Sequence, residues 1–231
     1  MESTQGDATA DITGDSIGDL TGDIDAVIFD FAGVLSTSPT TSMLARAQSL
    51  DLDLTTFLPI MLGPLDDDSD HPWHELERGR ITMDEFEAAI EPMWRAAGAT
   101  DFPRVPRGDE LLSFLLPVPE MIEAAVAVRA AGYRTAILTN NTREWGSWRE
   151  AWDADNLVDV VVDSCQVDLR KPNPAIFELT VELLGRPPIE RCLFLDDFPW
   201  NVAAANAMGF RTMQVGDPVV AAADLRRLLN L

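Results

Sequence analysis

The stretch AVIFDFAGVL, residues 26–35, decides how the rest of the chain is read. It opens with a short apolar run, Ala26 to Phe29, carrying β-branched side chains and bounded by Asp30 and a Phe-Ala-Gly turn signal. Such a run predicts a strand buried on both faces, the kind found inside a parallel sheet. In an open parallel sheet the ligand crevice lies beyond the carboxyl ends of the strands, which is where Asp30 would stand. Two residues on, where a second carboxylate would complete an acid–base pair, the chain has Ala32.

Further strands are predicted at RTAILTN (134–140), VDVVVDS (158–164), RCLFLDD (191–197) and FRTMQV (210–215). Between them lie PEMIEAAVAVRAAG, NPAIFELTVELLG and PWNVAAANAMG, each with helical spacing and a terminal glycine: Gly132, Gly185 and Gly209. Strand and helix thus alternate from residue 119 to the end, which predicts an α/β fold, a Rossmann-like parallel sheet covered by helices on both faces.

Residues 36–118 break that alternation. They contain the helical patterns TSMLARAQSL and TMDEFEAAIEPMWRAAG, separated by GPLDDDSDHP and TDFPRVPRGD, and no convincing strand. An inserted all-helical cap is expected there, splitting the core into 25–35 and 119–231. Because the insertion leaves directly after the first strand, it would stand over the crevice as a lid.

The predicted strand ends deliver a defined set of groups to that crevice: Asp30 from the first, Thr139 and Asn140 from the second, Lys171 from the loop after the third, and Asp196 and Asp197 from the fourth. A strand-end carboxylate or amide is also a common helix cap, and that reading stays open for Asp197 and Asn140 singly. Lys171 is the only lysine among 231 residues, against sixteen arginines. A compact three-donor ammonium is not interchangeable with a planar guanidinium, so its place beside Pro172 suggests a geometric requirement.

The series VIFDFAGVL, ILTNN, RKPNPAIF and CLFLDDFPWNVAAANAMG resembles, in order and separation, the four motifs of the haloacid dehalogenase-like hydrolases. With HELERGRITMDEFEAAI in the insertion, the pattern is most similar to the phosphatase-type branch that includes the N-terminal domain of soluble epoxide hydrolases and bacterial sugar-phosphate phosphatases. The resemblance implies a phosphatase acting on a small phosphorylated metabolite, such as a sugar phosphate, with Mg2+ as cofactor. It implies Asp30 as the nucleophile that becomes an aspartyl-phosphate, and Lys171 as the cation holding nucleophile and phosphate together. Thr139 and Asn140 would bind phosphoryl oxygens. The metal would be held by Asp30, the backbone carbonyl of Ala32, Asp196 and Asp197, with Asp196 also orienting the lysine. An all-oxygen set of this kind suits magnesium.

Ala32 departs from the family pattern, in which an aspartate at this position protonates the leaving oxygen and later activates water. Acid–base help of this type is worth ~10²- to 10⁴-fold. Its absence implies a slower enzyme, a good leaving group, or a replacement acid such as His71 or His74, the only histidines. The alternative for the histidines is a polar surface at the start of a cap helix. Trp73 is read as cap packing, and Trp145 and Trp148 either as pocket walls or as helical packing. Two other functions remain in view: a catalytically silent binding or regulatory protein, which Ala32 favours, and a metal-free 2-haloacid dehalogenase, which the Asp196-Asp197 pair opposes. A phosphonoacetaldehyde hydrolase would need a cap lysine, and the insertion has none.

Composition limits the partners. Thirty-nine acidic residues against 17 basic ones give a formal charge of -22, which opposes nucleic acid and anionic membranes. No apolar run approaches the ~18 residues of a membrane span. Residues 1–24 are expected to form a disordered acidic tail; calcium binding at its irregular Gly-Asp repeats is a weaker reading. Cys165 and Cys192 lack metal-ligand spacing and are read as reduced thiols of a cytoplasmic protein. The oligomeric state is not legible in the sequence.

Overall fold

In the computed structural model, residues 23–38, 47, 52–99, 104–107, 110 and 114–231 are described. The TSMLARAQSL stretch apart from Ala47, most of the acidic tail and part of TDFPRVPRGD fall outside them.

The predicted strands form one five-stranded parallel sheet: β1 (Ala26–Phe29), β2 (Arg134–Thr139), β3 (Val160–Asp163), β4 (Cys192–Asp196) and β5 (Arg211–Gln214), in the order β3-β2-β1-β4-β5. Side-chain alternation sends Val27 and Phe29 into one core layer and Ala26 and Ile28 into the other, so β1 is buried throughout. The first layer is closed by α4 (Pro119–Ala130) and α10 (Pro218–Leu229), which pack against each other. The second is closed by α8 (Pro174–Leu183) and α9 (Pro199–Ala207). Each of these four helices begins with proline at its first position, where a missing N–H costs nothing.

The insertion supplies α1 (Leu54–Leu62), α2 (Pro72–Glu77) and α3 (Met83–Ala96), which gather a separate apolar cluster including Phe57, Leu76, Phe86, Ile90 and Trp94. Asp53 caps α1 through Thr56 N, and Thr82 and Glu85 form a reciprocal capping box on α3. The chain leaves and re-enters the core along one narrow neck, with Val118 N donating to Leu35 O (3.0 Å) and Thr37 N to Leu116 O (2.8 Å). Short helices α5 (Trp148–Ala151), α6 (Ala154–Leu157) and α7 (Ser164–Val167) complete the core. Strand order reverses direction at β1 and β4, so the crevice between their carboxyl ends is the topological switch point.

Candidate active site

Asp30 follows β1 directly and Asp196 ends β4, and Asp30 N donates to Leu195 O (2.8 Å), so parallel pairing itself brings the two carboxylates together. Lys171 enters from the loop after β3. Its Nζ lies 2.8 Å from Asp30 Oδ1 and 2.7 Å from Asp196 Oδ2, and its side chain is only 1% exposed. The lone lysine therefore bridges both acids in a water-excluded place, a geometry that a guanidinium's fixed fork does not reproduce.

The turn that presents Lys171 is held by Asn140. Lys171 N donates to Asn140 Oδ1 (2.8 Å) while Asn140 Nδ2 donates to Lys171 O (3.0 Å). Asn140 thus clasps the lysine backbone and caps no helix, and its side-chain donor already serves the protein. Thr139, 3% exposed at the end of β2, is paired with Asp163 of β3 and has its hydroxyl 3.4 Å from Asn140 O, a weak bond from which it can be recruited.

The two adjacent aspartates of β4 have different surroundings. Asp196 is fully buried and accepts from Lys171 Nζ, from Phe198 N (2.8 Å) and from Asn201 Nδ2 (3.1 Å to each oxygen). Its lone pairs are committed to protein donors, which suits an acid that orients the lysine. Asp197 instead keeps Oδ1 buried with no partner among the described residues, while Oδ2 accepts from Ser38 Oγ (3.2 Å) at the start of the insertion. Phe198 occupies the N-cap position of the following helix, α9, which has no side-chain cap, so Asp197 is not a capping residue.

Ligand oxygens of Asp30, Asp196 and Asp197 lie within 4.8 Å of one another. Three carboxylates against one ammonium leave an uncompensated negative charge in a buried place, and Asp30 and Asp197 respond. Burial, opposed by Lys171 and reinforced by Asp196, lifts Asp30 to about 7. Burial and then the charges of Asp196 and Asp30 lift Asp197 well above the carboxylate range. The protein's own groups therefore do not hold Asp30 in the usual carboxylate range, because desolvation outweighs the lysine.

An orphaned carboxylate oxygen, a surplus of negative charge and all-oxygen donors fit a magnesium ion. Asp30, Asp197 and the Ala32 carbonyl are the residues that could hold it. The turn after β1 uses the carbonyls of Phe31 and Ser36 for its backbone bonds and bypasses that of Ala32. Gly33 keeps the place open: at φ +87° it tolerates the turn, and a Cβ there would lie 2.2 Å from Asp197 Oδ2.

Other candidates fall outside this constellation. His74 is fully buried rather than part of a polar surface; burial first, then Arg170 and His71, lower it to about 4, so it is neutral at physiological pH and a poor proton source. His71 caps α2 through Trp73 N and is also lowered by burial. Trp148 belongs to the core, donating from Nε1 to Asp163 Oδ2 (3.0 Å), and Trp145 donates to Pro106 O (2.9 Å), so both are structural. Trp73 packs on Phe86, as cap packing requires. Both thiols are buried and lifted to about 12, chiefly by desolvation.

Sequence reasoning missed Ser38, Asn201, Arg170 and Glu77. A polar side chain in the otherwise apolar start of α9 was a signal for Asn201, and the cation adjoining Lys171 was one for Arg170. Nothing local marks Ser38 or Glu77, whose partners are 159 and 93 residues away.

Comparison with known proteins agrees with this geometry. A family model described as haloacid dehalogenase-like hydrolase matches residues 24–209. The mouse acyl-CoA dehydrogenase family member 10 is 32% identical over 89% of this chain, but the match spans only 19% of that protein. For mouse bifunctional epoxide hydrolase 2 the figures are 25%, 87% and 38%, so this chain corresponds to a part of each. Phosphatase MT3486 of Mycobacterium tuberculosis is 28% identical over 83% of this chain and 87% of its own length. (S)-2-haloacid dehalogenase 1 of Pseudomonas matches a shorter region, 32% identical over 42% of the chain and 43% of the enzyme. Among solved structures, a HAD-like family hydrolase of Porphyromonas gingivalis superposes with TM-score 0.63 at 26% identity, covering 91% of this chain and 100% of that one. A Bacteroides thetaiotaomicron enzyme solved with magnesium and inorganic phosphate shares the fold (TM-score 0.56, 20% identity, 84% and 96% covered).

Proposed function

The chain belongs to the haloacid dehalogenase-like hydrolases, and on that premise we propose that it is a magnesium-dependent phosphatase acting on a small phosphorylated metabolite, a sugar phosphate being one candidate. The observation that carries the reading is the bridge from Lys171 to Asp30 and Asp196 beside an Asp197 oxygen with no partner among the described residues. In this reading 25–35 and 119–231 form the catalytic core, 36–118 the cap, and a reducing compartment such as the cytoplasm suits the two free thiols.

Asp30 attacks phosphorus in line, the ester P–O bond breaks as the aspartyl-phosphate forms on Oδ, and water then cleaves that acyl phosphate at phosphorus to release inorganic phosphate and the free carboxylate. Lys171 holds the nucleophile and neutralises charge gathering on the transferred group. Thr139 offers its hydroxyl to a phosphoryl oxygen, and the Asn140 side chain keeps the Lys171 turn in place. When bound, magnesium would supply positive charge at the phosphoryl oxygens and favour the ionised forms of Asp30 and Asp197. With Ala32 in the first motif, the side chain there donates no proton, so substrates with good leaving groups should turn over best.

A screen of phosphate esters with and without magnesium, with Asp30→Asn as control, tests the proposal. Magnesium-dependent release of phosphate that vanishes in the variant supports it. No turnover of any ester, activated aryl phosphates included, would favour a silent binding protein. The dehalogenase match supports a second reading, for which metal-free chloride release from 2-chloropropionate is the test.

A further inference from the structure

Glu77, the last residue of α2 in the insertion, is a charged side chain only 6% exposed, and none of the roles above uses it. Its Oε2 accepts from Arg170 Nε at 2.7 Å and is approached by Asn140 Nδ2 at 3.4 Å. Arg170 immediately precedes Lys171, and Asn140 is the residue that clasps the Lys171 backbone from both sides. One carboxylate from the insertion thus touches both groups that fix the lysine's turn. The insertion grips the far end of the same turn as well: Asp68 Oδ2 accepts from Asn173 Nδ2 at 2.9 Å, and Asp67 O accepts from Arg170 Nη1 at 3.1 Å. Arg170 is itself 5% exposed, so without Glu77 its buried guanidinium would lose its closest counter-charge next to another cation.

We propose that Glu77 is a positioning residue for Lys171, acting through Arg170 and Asn140, so that the seat of the lysine in the core depends on a carboxylate supplied by the insertion. The inference rests on the phosphatase reading for its kinetic consequence but not for its structural one.

The test uses Glu77→Gln, which keeps shape and removes charge, with p-nitrophenyl phosphate and magnesium. Loss of a charge-assisted hydrogen bond predicts a kcat lowered about 10- to 100-fold with KM unchanged within about twofold. Glu77→Asp should recover part of the loss, and Glu77→Gln with Arg170→Gln should be no worse than the more impaired single variant. Because Lys171 is the only lysine, reductive methylation followed by mass spectrometry of its peptide reports its seating directly. Lys171 should be protected in the wild type and modified at least about tenfold faster in Glu77→Gln, as expected when burial and pairing are loosened. If Glu77→Gln does not fold, Asp68→Ala, which removes the acceptor of Asn173 Nδ2 at the far end of the turn, should show the same effects more weakly. An unchanged kcat in a folded variant, or a lowered kcat with Lys171 still protected, overturns the proposal. If the wild type hydrolyses no ester, the phosphatase reading fails, and the methylation result alone decides the positioning role.

Discussion

Lys171 Nζ and Asp30 Oδ1 lie 2.8 Å apart, joined from elements 141 residues apart in the chain, and both side chains are almost wholly removed from water. In such a place neither charge is stable without the other, because the desolvation cost of each is offset only by its partner. Lys171→Met should therefore do two things. Turnover should fall by about 10²-fold or more, as when a charge-stabilising donor is removed, and the fold should lose on the order of 3–5 kcal/mol because Asp30 and Asp196 remain uncompensated. Phosphate-release assays and denaturant titration measure these separately. Lys171→Arg with wild-type activity would refute the geometric argument.

Magnesium should raise the melting temperature. At a hundredfold excess over Kd the linkage effect is about 2.7 kcal/mol. Asp30 lies at about 7 and Asp197 is also raised, so below neutral pH the ion must displace protons. The magnesium-induced shift should shrink as pH falls from 8 to 6. Asp197→Asn should abolish the shift while leaving the metal-free fold no less stable, since it removes a buried carboxylate with an unpartnered oxygen. Thermal scans over pH, with and without the ion, check both expectations.

Ala32→Asp should restore an acid where the family pattern has one. Rates on alkyl phosphates, whose leaving groups need a proton, should rise toward the ~10²-fold lower limit of such catalysis, while activated aryl esters change little. Equal acceleration of both classes would show that protonation of the leaving group is not the missing step.

His74 should make the fold sensitive to mild acid. Its value of about 4 lies below the unperturbed 6.5, so the unfolded chain binds the proton more tightly. The resulting stability is fully present above about 6.5 and is lost as pH falls toward 4, by on the order of 2–3 kcal/mol. Arg170, His71 and Arg78 oppose protonation there and Asp68 favours it. Asp30 contributes in the opposite sense, since a raised carboxylate gains stability as pH falls through 7. The comparison of wild type with His74→Gln isolates the histidine: the variant should lose less stability between pH 7 and 5, in urea titrations at each pH.

The sequence by itself determined the sheet, the three helices predicted between its strands and the edge at which the candidate site lies. Apolar runs such as Ala26–Phe29, proline-led helices and the glycines that end them are local signals, and parallel pairing converts strand ends into one edge without further information. It also brought Asp30, Thr139, Asn140, Lys171, Asp196 and Asp197 to that edge as candidates. Only the tertiary structure decided how they differ: Asp196 is saturated by Lys171, Asn201 and Phe198, while Asp197 keeps a free oxygen over Gly33. The same is true of Asn140 as a clasp on the lysine turn, His74 as a buried neutral ring, and the Glu77–Arg170 pair across the insertion. Burial and pairing at these positions depend on side chains far away in the chain, so composition and periodicity carry no record of them.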